Sequence, residues 1–192
     1  KVLLSHQKTI GNEIFDQMEA KRFERTVQLD RYDFKGFVKV ENQAFGADPG
    51  EEIRPLDAAV DDKLGIRGMV FGGFQRCLYD VQKFDSDEER RFAQILEADP
   101  TVLKWFKPAR GVLPIRYGAD SDYEPDFVVE TKSAKLLCEP KRTSEVDDET
   151  VQAKAAAAVR WCERATEWER KHGHTKPWRY VLIPGDAIKA SA

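Results

Sequence analysis

The sequence is poor in the residues that staple a chain or ligate soft metals. Its 192 residues hold only 3 cysteines, 3 histidines and 2 methionines. Cys77, Cys138 and Cys162 are scattered, with no CxxC pair and no histidine at ligand spacing. Neither a disulfide framework nor a zinc site is expected, and a reducing cytoplasm is the expected setting. No apolar run approaches the roughly 20 residues that cross a bilayer, and the start of the chain has no signal-peptide pattern, so no membrane partner is expected. No GxxxxGKS/T run occurs, which excludes a P-loop nucleotide site within these residues. An excess of one charge is also missing: Lys+Arg 31 against Asp+Glu 34 leaves −3. Nucleic-acid contact would therefore need a local basic stripe rather than a polycationic surface. The first residue is Lys1 and not Met, so a longer parent chain is expected.

Hydrophobic residues make up 41% of the chain, enough for a proper core, and charged residues 34%. Residues 3–24 read as an amphipathic helix with Ile10, Ile14 and Met18 on one stripe. Residues 32–41 alternate like a strand, and residues 42–65 read as a long acidic loop with two prolines. The signals sharpen from about Gly72. Ser86, with Glu89 three residues on, forms a capping box that opens a helix over about 87–98. VLPIRYG (112–118) reads as a strand, although Pro114 would confine it to an edge. PDFVVE and KLLCEP read as two more strands. Asp147 or Asp148 caps a long helix, Gly173 is placed to stop it, and WRYVLIP (178–184) is a last strand. The order is α-β-β-β-α-β. Ala155 to Ala158 would let the second helix lie close on a sheet.

The two middle strands carry charges at their ends. If FVV and LLC pair as a hairpin whose turn is centred between Lys132 and Ser133, Asp126 falls opposite Glu139. Directly opposed side chains have Cβ atoms roughly 4.5–5.5 Å apart, and like charges there destabilise the pair. Lys141, two residues beyond Glu139, points to the same side. Pro140 between them has no N–H to donate and predicts a bulge or splaying. Two hard carboxylates with free positions suit Mg²⁺, which can lower the pKa of a bound water and neutralise charge on a phosphate. Lys141 would then orient the attacking water or stabilise the charged transition state. The bland alternative is an exposed Glu139–Lys141 ion pair that contributes little.

The blocks FGGFQRCLYDVQKFDSDEERRFAQILEADPTVLKWFKP, YEPDFVVE, CEPK, VQAKAAAAVRWC and WRYVLIPGDAI resemble the C-terminal nuclease region of type III restriction enzyme Res subunits, within the PD-(D/E)xK nuclease superfamily. The resemblance covers roughly residues 70–188. It implies an α/β fold with a restriction-endonuclease-like core and mixed central sheet over 71–192, preceded by an extension over 1–70. It implies an Mg²⁺-dependent DNA endonuclease with one or two ions, Mn²⁺ substituting. Asp126 and Glu139 resemble the metal-binding carboxylates and Lys141 the catalytic lysine. Glu89 resembles an additional helix-borne acid that holds metal or water, beside its reading as a cap. Gln152 and Lys154 resemble polar positions that face the site or a DNA phosphate, Lys154 reading equally as a solvated helix lysine. The implied partners are double-stranded DNA, a helicase or translocase domain in the same longer chain, and a methyltransferase subunit, in a bacterial or archaeal cytoplasm.

Arg116, Arg142 and the basic stretch KWFKPARG (104–111) are candidates for phosphate contacts. Trp105 and Phe106, like Tyr123 and Trp161, read also as core residues. His6, His172 and His174 read as surface residues. Two other classes stay open: a non-catalytic nucleic-acid binder on a nuclease scaffold, and an interaction domain of a defence complex using the acidic loop at 47–62. RNA remains an alternative substrate, because nothing in the triplet reads the 2′-OH.

Overall fold

The computed structural model describes residues 36–37, 47–48 and 50–188. The helix expected over 3–24, most of the strand expected over 32–41, and His6 lie outside the described residues. Within them the protein has an α/β fold with mixed sheets and two α-helices.

A small three-stranded sheet comes first. Its strands are β1 (Ile53–Pro55), β2 (Val70–Gly72) and β3 (Val81–Gln82). β1 pairs parallel to β2, and β3 pairs antiparallel to it. β1 lies inside the stretch expected to be loop. Three residues ending in a proline give no readable alternation, and the strand sits at the sheet's edge, where a missing donor is tolerated. Leu56, from the same stretch, and Ile66, just beyond it, are buried in one cluster with Phe71, Phe92 and Phe127.

Helix α1 (Asp87–Ala98) starts where Ser86 Oγ accepts the Glu89 N–H at 3.2 Å. The Glu89 carboxylate returns to the Asp85 N–H at 3.1 Å, one residue further out than in the usual reciprocal pair. Phe92, Ala93 and Leu96 fall on its buried face. Arg90 is buried too, paired with Asp87 and donating to the Leu56 carbonyl at 3.1 Å. That contact ties α1 to the small sheet.

The central sheet has the order β4-β7-β8-β9. β4 is Val102–Phe106; β5 (Ile115–Arg116) and β6 (Asp122–Tyr123) form a separate two-stranded sheet; β7 is Phe127–Thr131 and β8 is Lys135–Lys141. The β7–β8 turn over 131–134 closes with Thr131 N–H on the Ala134 carbonyl at 2.8 Å. Phe127 then pairs with Cys138 and Glu130 with Lys135, the register expected from the sequence. Helix α2 (Glu149–Lys171), capped by Asp148, crosses over to β9 (Trp178–Pro184), which runs parallel to β8. Gly173 follows the last turn at φ 83°, a left-handed position that favours glycine.

One strand differs from its expected place. Only Ile115–Arg116 of the expected strand 112–118 is extended in a sheet, and it pairs with β6. The central sheet instead takes VLKWF as β4. A register irregularity between Val102 and Lys104 breaks its alternation, and Pro114 denies the other segment a donor for a longer ladder. With β4 in that place the central elements still run helix, three strands, helix, strand.

The alternation along β7 and β8 sorts the core into two layers. Phe127, Val129 and Cys138 pack with Phe92, Ala93 and Leu96 of α1. Leu137 packs with Ala157, Ala158 and Cys162 of α2, so two of the four alanines provide the close approach. Full burial of a side chain such as Phe127 contributes roughly 1.5–3 kcal/mol.

Candidate functional site

The site forms where the β7–β8 ladder ends. Its last rung is Phe127 with Cys138. Two positions further on, the register would set Pro125 against Pro140, and neither has an N–H to give. Of the bulge or splaying expected at Pro140, β8 shows no bulge towards β9, where Pro140 pairs beside Ile183, while its pairing with β7 ends at Cys138. Stopping the ladder with two prolines gives the opening a bulge was expected to give. In that gap the Asp126 N–H donates to Glu139 Oε2 at 3.3 Å. Lys141 Nζ lies 3.0 Å from Glu139 Oε1 and 3.7 Å from Asp126 Oδ2. The three groups therefore converge, as the hairpin register predicts.

Glu89 joins the group through a residue expected only in a basic patch. Lys107, just past the end of β4, places Nζ 3.0 Å from Glu89 Oε2, 3.0 Å from Asp85 Oδ2 and 4.0 Å from Asp126 Oδ1. Glu89 thus serves as the helix cap and pairs with Lys107 beside Asp126. Only β4, running antiparallel to β7 and ending opposite Val128, delivers Lys107 here. A basic residue that ends an aromatic strand was the available signal.

The electrostatics follow from burial. Glu139 and Glu89 are each 5% exposed. Burial, and after it the charge of Glu139, pushes the Asp126 carboxyl up to about 7, with Lys107 and Lys141 offsetting only part of the effect. For Lys141 burial acts against the charged form, yet the carboxylates of Asp126 and Glu139 outweigh it and raise the ammonium above its usual range. The same balance, with Glu89 and Asp126 as the acids, raises Lys107. Asp126 Oδ2 is buried without a hydrogen-bond partner, as are the hydroxyls of Tyr123 and Tyr180. Burial pushes both phenols up; Tyr180 adds to the effect on Tyr123, and the carboxylates of Glu139 and Asp126 add to it on both. Tyr180 gave no sign of itself in the sequence; its place depends on β9 pairing Tyr180 with Leu137.

The donor set suits a hard divalent ion in kind, with buried carboxylates and an Asp126 oxygen that accepts no hydrogen bond. In arrangement it is held by lysines: among the described residues no group of three His, Cys, Asp or Glu side chains stands ready around a common point.

The four candidate nucleic-acid residues make other contacts. Arg142 is exposed next to Lys141, 3.9 Å from Glu145. Gln152 is exposed and donates to the Val146 carbonyl at 2.7 Å. Lys154 lies 5.5 Å from the centre of the Tyr117 ring. Arg116 is held by Asp122 at 2.6 Å and by the Ala119 carbonyl. Trp105 is core, 1% exposed, and its indole N–H donates to Glu97. His172 is exposed and stacks on Trp168 at 3.8 Å between ring centres. All three cysteines are free, and burial pushes each thiol up to about 12. No helix among the described residues is long and apolar enough to cross a membrane.

Fold and site together define an α/β domain with a buried acid and lysine cluster at the end of its central sheet. No protein-family model matches the chain, and no curated protein matches it by sequence.

Proposed function

We propose that this domain is a metal-dependent endonuclease of the PD-(D/E)xK type that hydrolyses DNA phosphodiester bonds. In this reading it is the cleavage module of an ATP-dependent, type III-like restriction enzyme. The observation that carries the reading is the meeting of Asp126, Glu139 and Lys141 at the end of one hairpin, within 3.0–3.7 Å of the Lys141 ammonium. The order of elements around it, helix, three strands, helix, strand in a mixed sheet, supports the same reading.

Asp126 and Glu139 would hold Mg²⁺, with Glu89 as the third acid and Mn²⁺ as a substitute. Such an ion supplies Lewis-acid stabilisation of the charge that builds on a phosphodiester. Lys141 contributes a fixed ammonium at the same point, able to orient an attacking water and to stabilise the developing oxyanion. Burial of Glu139 and Asp126 strengthens each of these interactions by excluding water. Arg142, exposed beside Lys141, together with Gln152, Lys154 and Arg116, would position phosphates of double-stranded DNA. The translocase in the same longer chain and a methyltransferase subunit would supply movement and site choice.

A second reading, a non-catalytic nucleic-acid binder on the same scaffold, draws on Lys107, whose ammonium already neutralises part of the acid cluster. Nicking of supercoiled plasmid in Mg²⁺, with the rest of the longer enzyme supplied, separates the two. The endonuclease reading expects nicking by the native protein and its loss in Asp126→Ala, Glu139→Ala and Lys141→Ala variants that keep the native circular dichroism. Undiminished nicking by the Asp126 and Lys141 variants would end it. DNA retention without any metal-dependent cutting would favour the binder.

A further inference from the structure

We propose that Lys107 is a built-in counter-ion of the acid cluster, one that a divalent cation must displace from Asp126 and Glu89 in order to bind. The inference rests on the metal-dependent reading of this site and adds to it a residue that controls metal entry.

The placement is specific. β4 ends at Phe106 opposite Val128, so the next residue emerges beside the start of β7, where Asp126 stands. The Lys107 side chain is only 13% exposed and contacts three carboxylates, two of them, Glu89 and Asp126, in the proposed ligand set. Its ammonium lies 3.0 Å from a Glu89 oxygen that a metal would need and 4.0 Å from Asp126 Oδ1. A lysine and a divalent cation on the same oxygens also repel each other across a poorly solvated gap.

The charges explain why one cation exchanges for another. Among the described residues, the carboxylates of Asp85, Glu89, Asp126 and Glu139 form ion pairs with two ammonium groups, those of Lys107 and Lys141. The deficit of positive charge attracts a divalent ion, while Lys107 keeps the acids together without one. The third partner gives the displaced ammonium somewhere to go. Asp85 is 62% exposed on its side chain, against 7% for Glu89 and 17% for Asp126. Lys107 can therefore withdraw outward onto Asp85 and keep an ion pair at the rim.

Titration calorimetry of the metal-stripped intact chain with Mn²⁺ tests this. It is done at about pH 8, because carboxylate ligands must be deprotonated to bind. Lys107→Gln is expected to bind Mn²⁺ on the order of tenfold more tightly than the native protein, through loss of a close like charge. Lys107→Arg, which keeps the charge, is expected to bind no more tightly than native. Without metal the Gln variant should melt below the native protein, and saturating Mn²⁺ should recover the difference. Native binding with an unchanged or weaker Gln variant would overturn the displacement while leaving the metal reading intact. Absence of binding in native and variant alike would remove the metal reading itself and this inference with it. A Gln variant that stays unfolded in saturating Mn²⁺ would also overturn it, since the ion is then not taking over the charge that Lys107 supplies.

Discussion

The backbone N–H of Asp126 donates to the Glu139 carboxylate at 3.3 Å, one residue past the last rung of the β7–β8 ladder. Two acids meet there because the hairpin register aligns them, and they stay together because Lys141 and Lys107 stand beside them. The arrangement costs stability at the carboxylate that is hardest to ionise, which makes the cost measurable.

The folded Asp126 carboxyl is raised from 3.8 to about 7. A raised acid costs nothing below its unfolded pKa, costs more as pH climbs between the two values, and carries its full cost above the folded one. Metal-free protein should lose stability through that window. Asp126→Asn, which cannot ionise, should match the native protein near pH 4 and melt higher at about pH 8, by on the order of 5 °C. A variant that melts lower at the alkaline end would contradict the assignment.

Glu169 on α2 receives Lys135 of β8 at 2.5 Å and the Trp178 indole N–H of β9 at 3.4 Å, and is 3% exposed. Glu169→Ala leaves both donors without this acceptor. Lys135 retains some solvent, so the expected loss is about 1–3 kcal/mol by urea denaturation. The exposed Lys171–Glu167 pair one turn away supplies the control. Glu167→Ala should leave the midpoint where it is.

Phe127 is fully buried, edge-on to Phe92 at 5.2 Å and tilted against Trp105 at 5.7 Å. It anchors the strand whose start carries Asp126. Phe127→Ala should cost about 3–5 kcal/mol, read as a lower urea midpoint at unchanged slope. Leu64, 92% exposed, should tolerate alanine within about 0.5 kcal/mol.

The parts legible in the sequence were those set by local rules. Ser86 and an aspartate at 147 or 148, Asp148 in the structure, mark helix starts through side-chain caps, and a four-residue turn fixes the register that brings Asp126 to Glu139. Parts set by distant pairing were not legible. The irregular step between Val102 and Lys104 hides β4, and without β4 nothing predicts that Lys107 reaches Glu89. β1 is too short to show a period, and Tyr180 reaches the site only through the parallel pairing of β9 with β8.

A crystal structure of the chain grown in Mg²⁺ examines the central claim most directly. The account predicts an ion with oxygens of Asp126 and Glu139 at about 2.1 Å, and Lys107 withdrawn toward Asp85. Saturating Mg²⁺ with no ion at those two carboxylates, and both lysines still in their present contacts, would contradict it.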